Sequence, residues 1–216
     1  MKVIFTFLFA IILFPGISLA QHNYRNAYVV TLKGDTLKGY ILYPGWFTNP
    51  SVIRFKSASG EKSVKLTVHD IGSFYLQGIG NYQRYVGVIS MDNTSPEHMI
   101  DYRDTTYKID TVFLRVLEKG KNVVLYSYGD AIKDRYFIGI APDYAPVELR
   151  FRLYYDVDHS TLKYRTVYDN TYMKQLFDLA AKYNAMSNEL QKDIENSDYH
   201  EVYLVEIAKA INKASN

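Results

Sequence analysis

The sequence predicts an α+β fold: an antiparallel β part, barrel-like or sandwich, followed by two or three C-terminal helices. Three observations carry that expectation. Short β-branched and aromatic runs separated by glycine, proline and asparagine turns fill the chain to about residue 170. Beyond it the apolar residues recur at helical spacing. Strands first and helices after is the order of a sheet with helices packed at one face or end.

Ala27–Leu32 and Leu37–Tyr43 read as a hairpin around Lys33-Gly-Asp-Thr36, because Gly34 can take positive φ without steric cost. Pro44-Gly45 closes the second strand, and Asn49-Pro50 marks another turn. Val52–Lys56 and Ser63–Leu66 are expected strands joined by a polar link. Thr67-Val-His-Asp70 could start one helical turn, with Thr67 capping and Asp70 near the free amides. Ser73–Gln77 and Tyr82–Met91 return to strand, and Gly87 inside the latter predicts a bulge or close packing. Asp92–Asp110 is the most loop-like stretch.

Thr111–Leu117, Asn122–Tyr128 and Arg135–Ile140 are the clearest strands. Val147–Tyr155 alternates as one half-buried strand, with Val147, Leu149, Phe151, Leu153 and Tyr155 inward. Tyr172, Leu176, Leu179 and Tyr183 then line one helical stripe, and Asn184 suits its end. Ser187 caps a helix carrying Leu190 and Ile194. Asp198 with Glu201 opens a last one, where Val202, Val205, Ala208 and Ile211 align.

Residues 1–20 have the three-part layout of a cleaved signal peptide: Lys2, an apolar run from Val3 to Phe14, and Ser18-Leu19-Ala20 before the cut. The expected organisation is therefore 1–20 signal peptide, 21–170 β-rich domain and 171–216 helical segment, the mature protein being exported to the periplasm, the outer membrane's surroundings or the medium. The apolar run is too short and interrupted to span a bilayer, and no transmembrane segment is expected in the mature chain. With 25 basic and 23 acidic side chains, the near-balanced charge gives no footprint for nucleic acid. The chain has no cysteine, so disulfides are excluded. Its 21 tyrosines against 11 phenylalanines and one tryptophan fit half-buried strands better than a dedicated ligand face.

Familiar reaction chemistry is mostly missing. Gly78-Ile-Gly80 lacks the third glycine of a phosphate loop. Ser59-Gly-Glu-Lys62 matches a Ser-x-x-Lys pattern without its partner motifs. His200-Glu201 starts like a zinc-protease helix, but Leu204 stands where the second histidine belongs. No cofactor and no metal is expected. The catalytic candidates are His69 with Asp70, since a carboxylate can orient an imidazole, and Asp156 with His159, which cluster oxygen and nitrogen in what reads as a solvated turn. Trp46, Tyr82 and Tyr85 are the ligand-binding candidates; Trp46 can plug one end of the β part or stack on a sugar.

Leu32-Lys-Gly-Asp-Thr-Leu-Lys-Gly39, Trp46-x-x-Asn49-Pro50, Ile53-x-Phe55-Lys56 and Leu66-Thr-x-x-Asp70-Ile71-x-Ser73-Phe74 stand in one chain with Thr111-Val-Phe-Leu-Arg-Val-Leu117-x-x-Gly120-Lys121 and Leu125-Tyr-x-Tyr128. Together they resemble a family of uncharacterised exported β-rich proteins of Bacteroidota-type Gram-negative bacteria. The likeness covers most of residues 27–184. It implies a location and a fold, and carries no activity. Some members continue into an outer-membrane barrel, whereas here the strands give way to short helices. The function expected is a non-catalytic envelope binding module for a protein or glycan. The alternatives are an exported hydrolase using aspartates or glutamates such as Asp101, Asp104 or Asp156, and a subunit of an envelope assembly.

Overall fold

The structure, a computed structural model, describes residues 23–158 and 160–214. The expected signal peptide and His159 lie outside them. Ten strands form one antiparallel sheet in the order β10-β9-β8-β7-β6-β5-β1-β2-β3-β4. They are β1 (Tyr24–Thr31), β2 (Thr36–Leu42), β3 (Val52–Lys56), β4 (Val64–Thr67), β5 (Ile71–Leu76), β6 (Gly80–Ser90), β7 (Tyr107–Lys119), β8 (Val123–Gly129), β9 (Asp134–Ile140) and β10 (Ala145–Leu149). A separate ribbon pairs β11 (Arg152–Asp158) with β12 (Lys163–Asp169), and α1 (Thr171–Lys182), α2 (Asn188–Glu195) and α3 (Glu201–Lys213) follow. The α+β class is thus the fold of the chain. Its sheet is sandwich-like and not a closed barrel, because β4 and β10 do not pair with each other.

Most local expectations have a visible cause. Gly34 turns the first hairpin at φ +94°, and Asn184 follows α1 at φ +50°, the left-handed conformation that asparagine tolerates. Ser187 Oγ accepts the Leu190 amide and caps α2. Thr67–Asp70 is the single capped turn expected there: the Asp70 amide donates to the Thr67 carbonyl at 3.0 Å, the Thr67 hydroxyl accepts the His69 amide at 3.1 Å and Asp70 accepts the Thr67 amide at 2.8 Å, before β5 pairing starts at Ile71. Three segments differ. β7 begins at Tyr107, four residues inside the expected loop, because the long partner β6 offers a ladder as far as Ser90. The Val147–Tyr155 run breaks into β10 and β11, which belong to different sheets. Its alternation survives the break only in part: Leu149 and Leu153 are buried, while Val147 is exposed. β12 had no expectation at all, for its residues are mostly exposed and show no apolar face.

The sheet buries its two faces in different places. One face of β1–β7 encloses Val29, Ile41, Ile53, Phe74, Leu76 and Phe113. The opposite face of β6–β9 buries Ile89, Leu114, Val124, Tyr126 and Phe137. The helices cover Val123, Leu125, Tyr136 and Ile138 of β8 and β9 with Tyr172, Leu176, Leu190, Leu204, Ile207 and Ile211. On α3 the buried stripe is therefore Leu204, Ile207, Ala208 and Ile211, while Val202 is 61% exposed. The expected stripe through Val202 is rotated, because β8 meets the helix on its Leu204 side. Gly87 causes no bulge. A Cβ there would stand 2.3 Å from Tyr85 Oη, so the tyrosine ring occupies the space. The register shifts fall instead between Val30 and Thr31 and between Val116 and Glu118. No helix among the described residues is long and apolar enough to cross a membrane.

Candidate functional site

The residues singled out by sequence scatter over the fold. Trp46 is half-buried and meets Tyr43, Phe74 and Tyr82 edge-on at 5.0, 6.1 and 5.9 Å. Tyr82 is buried and stacks on Phe74 at 4.6 Å. Tyr85 lies on the opposite face of β6, against Phe137. These aromatics build the core and do not share one surface. His69 and Asp70 sit exposed in the β4–β5 link, where Asp70 Oδ2 accepts the Thr67 amide at 2.8 Å and its hydroxyl at 2.7 Å. The Thr67 hydroxyl and then the amide hold the Asp70 carboxyl below its usual range. Asp70 thus serves the turn and not the imidazole. Asp156 pairs with Arg165 at 2.7 Å. Asp158 is held at about 2 by the Ser160 hydroxyl and then the Thr161 hydroxyl, so the turn consumes its own oxygens. Among the described residues no three histidine, aspartate or glutamate side chains gather to hold a metal ion.

A charged cleft lies where the end of β6 meets β10. Cavities of about 690 and 260 Å³ meet there, and Asp92 and Arg152 line both. Asp92 and Glu148 are the two carboxylates a hydrolase would recruit in the larger one. Each is already bonded. Lys133 Nζ donates to Asp92 at 2.8 Å, with both side chains only 5% exposed. The amide and hydroxyl of Ser90 donate to the two oxygens of Glu148. Arg135, fully buried, donates to the carbonyls of Ser90 and Lys133 and pairs with Asp130 at 3.0 Å. Burial pushes the Lys133 ammonium below its usual range against the pull of Asp92. The aspartates and the glutamate whose pKa departs from the ordinary value (Asp70, Asp110, Asp130, Asp158, Asp169, Glu206) all shift downward. A general acid at neutral pH needs the opposite. The chemistry of this cleft is that of an ionic seam joining β6 to β9 and β10.

The outward face of β2, β1, β5 and β6 is different in kind. Tyr28 of β1 stands opposite Tyr75 of β5, and the rings stack at 5.3 Å. Asn26 Nδ2 donates to Gln77 Oε1 at 2.8 Å, and Tyr28 Oη donates to Asn81 Oδ1 at 3.3 Å. Tyr40 stands opposite Asn26, and Ser73 opposite Gln83. Two shallow grooves of about 590 and 430 Å³ adjoin along this face and share Tyr28. The first runs over Asn26, Lys38, Tyr40 and Tyr75. The second passes Asn81 and Gln83 to Tyr126 and Tyr144. The helices pack on the other face of the sheet, so this surface stays open.

Alternation builds that surface. Asn26-x-Tyr28, Ser73-x-Tyr75-x-Gln77 and Asn81-x-Gln83 send amides and tyrosines outward, while Ala27, Val29, Phe74, Leu76 and Tyr82 go inward. Sequence reasoning chose Trp46, Tyr82 and Tyr85 and missed Tyr28 and Tyr75. The period-2 pattern of amide and tyrosine was the available signal. Aromatic faces favour the C–H faces of a ligand, and carboxamides offer a donor and an acceptor each. Comparison with protein-family models, curated proteins and solved structures finds no match for this chain.

Proposed function

We propose that this chain is an exported cell-envelope protein without a catalytic role, and that it binds a glycan through the Tyr28–Tyr75 face. The observation that carries the reading is the stacked Tyr28–Tyr75 pair flanked by Asn26, Gln77 and Asn81 on an uncovered sheet face. A sugar ring needs apolar aromatic surface with polar groups beside it, and the Tyr28–Tyr75 stack with its flanking carboxamides supports that reading. The resemblance to exported β-rich proteins and the signal-peptide pattern support the envelope address. The hydrolase alternative, expected on acids such as Asp101, Asp104 or Asp156, would have to use the carboxylates of the cleft, where Lys133 holds Asp92 Oδ2 and Ser90 holds both oxygens of Glu148. The assembly alternative expects a bare apolar stripe on the last helix, and the α3 stripe is buried.

The test is retention of the mature chain on peptidoglycan and on surface polysaccharide from a Gram-negative envelope, followed by titration of soluble fragments. Tyr28→Ala, Tyr75→Ala and Asn81→Ala should each weaken binding about tenfold, the value of roughly 1.4 kcal/mol, at unchanged circular dichroism. Retention indifferent to all three variants overturns the reading. So does failure to bind any glycan, or hydrolysis of one by the chain.

A further inference from the structure

Among the described residues the β11–β12 ribbon is joined to no other strand, and a two-stranded ribbon alone is marginal in water. Its inner strand has a neighbour: the Tyr155 amide donates to the Ile100 carbonyl at 2.8 Å, away from β12. Tyr155 stands opposite Thr166. In an antiparallel ladder, directly opposed residues either exchange hydrogen bonds or both point their amides and carbonyls away from each other. Thr166 therefore aims its N–H and C=O at the outer edge of β12, and so do Tyr164 and Tyr168 two residues to either side. Among the described residues no backbone hydrogen bond outside the ladder reaches this edge. The strand is seven residues long, contains no proline and is mostly exposed, the kind of edge that recruits another strand.

We propose that the occupant is a second copy of this chain, paired antiparallel through β12 about a two-fold axis at Thr166. The side chains select that register: Tyr164 stands opposite the partner's Tyr168, twice by symmetry, whereas an axis at Val167 would set Tyr168 against the partner's Thr166 and lose that pair. Asp169 is held within its own copy by Arg103 at 2.7 Å and takes no part. A register one step shorter would set Arg165 against the partner's Arg165 and is repulsive. In the chosen register Arg165 faces the partner's Val167 and keeps its own Asp156 at 2.7 Å. Tyr164, Thr166 and Tyr168 all present outward backbone groups to the same residues of the partner. Tyr164 lies opposite the partner's Tyr168, and these rings are now 65% and 63% exposed. They share a face with Tyr155, which already meets Tyr164 edge-on at 5.9 Å, so pairing extends one aromatic row across both copies. The inference does not rest on the glycan reading, because the tyrosine face of β1 and β5 contributes nothing to it.

The experiment uses the mature chain in sedimentation and light scattering over a wide concentration range. The expected result is twice the monomer mass. Thr166→Pro removes an outward N–H and no ladder bond, so it should give a monomer with unchanged circular dichroism and melting. Because the chain has no cysteine, Thr166→Cys places a single thiol at the proposed axis. It should cross-link under mild oxidation, and Leu162→Cys, away from the axis, should not. A monomer at every concentration overturns the proposal. So does a dimer that survives Thr166→Pro and cross-links only at Leu162→Cys. Hydrogen-exchange protection of β12 that appears only after envelope extract is added would give the edge to a different chain, and would also overturn it.

Discussion

Asn49 and Gly129, eighty positions apart, exchange two hydrogen bonds: the Asn49 amide donates to the Gly129 carbonyl at 2.8 Å, and the Gly129 amide donates to Asn49 Oδ1 at 3.0 Å. The same carboxamide donates to the carbonyls of Phe113 at 2.7 Å and Ser127 at 3.2 Å. One side chain in the β2–β3 connection thus ties that connection to β7 and β8, far along the sheet order.

Asn49→Ala should cost about 2–4 kcal/mol, because it leaves polar backbone groups of β7 and β8 short of partners. Urea unfolding monitored by circular dichroism measures it. Asn49→Asp keeps the acceptor but sets a carboxylate against two carbonyls, and should be no milder. A loss within about 0.5 kcal/mol, the ordinary range for a surface change, would show that the link does not brace the sheet.

The C-terminal helix is locked by a second carboxamide. Asn212 Oδ1 accepts the amides of Asn122 and Val123, Nδ2 donates to the Val123 carbonyl, and Asn122 Nδ2 reaches back to the Ile211 carbonyl. A Cβ on Gly120 would stand 2.0 Å from Asn212 Cγ. Gly120→Ala and Asn212→Ala should each destabilise. Combined, they should cost less than their sum, with a coupling of about 1–2 kcal/mol, since the second removes what the first collides with. Strict additivity in a double-mutant cycle would refute the arrangement.

Burial assignments on α3 give a sharp contrast. Leu204→Ala or Ile207→Ala should cost about 2–5 kcal/mol through the cavity left against β8. Val202→Ala should stay within about 0.5 kcal/mol. Comparable losses from Val202 and Leu204 in thermal or denaturant unfolding would mean that the helix faces the sheet differently.

Alkaline pH should unfold the protein. Burial pushes Tyr82 and Tyr136 up to about 12 from 10.0. Between those values the folded chain keeps both protons and the unfolded chain has released them. The stabilisation is full below pH 10 and is lost as pH rises toward 12. Each group can account for up to about 3 kcal/mol of that loss. Phenolate absorbance should therefore rise in two phases, exposed tyrosines first and the buried ones with the loss of structure. Tyr82→Phe and Tyr136→Phe should move the unfolding midpoint to higher pH. A single reversible phase with secondary structure intact would contradict this.

Local grammar made the early hairpins legible. Gly34 between two apolar runs leaves the chain little choice, and Val52–Lys56 is the strand its residues announce. The helical stripe from Tyr172 to Tyr183 was equally plain, since a helix buries whatever recurs at its own period. The tyrosine face was written in the chain as amides and tyrosines at alternate positions. It could not be recognised there, because which side of a strand faces water depends on what packs on the other side.

What the sequence determined by itself is that strands precede helices, the absence of disulfides and the periods of most strands and helices. These follow from backbone sterics and from which residue types recur at two or at about 3.6. The tertiary structure alone decided that β10 and β11 part company, that α3 turns Leu204 inward, and that Asp92 and Glu148 are taken by Lys133 and Ser90. It also decided that Tyr28 meets Tyr75, forty-seven residues on. Each of these depends on partners distant in the chain, and local propensity holds no information about which distant groups the folded sheet brings within reach.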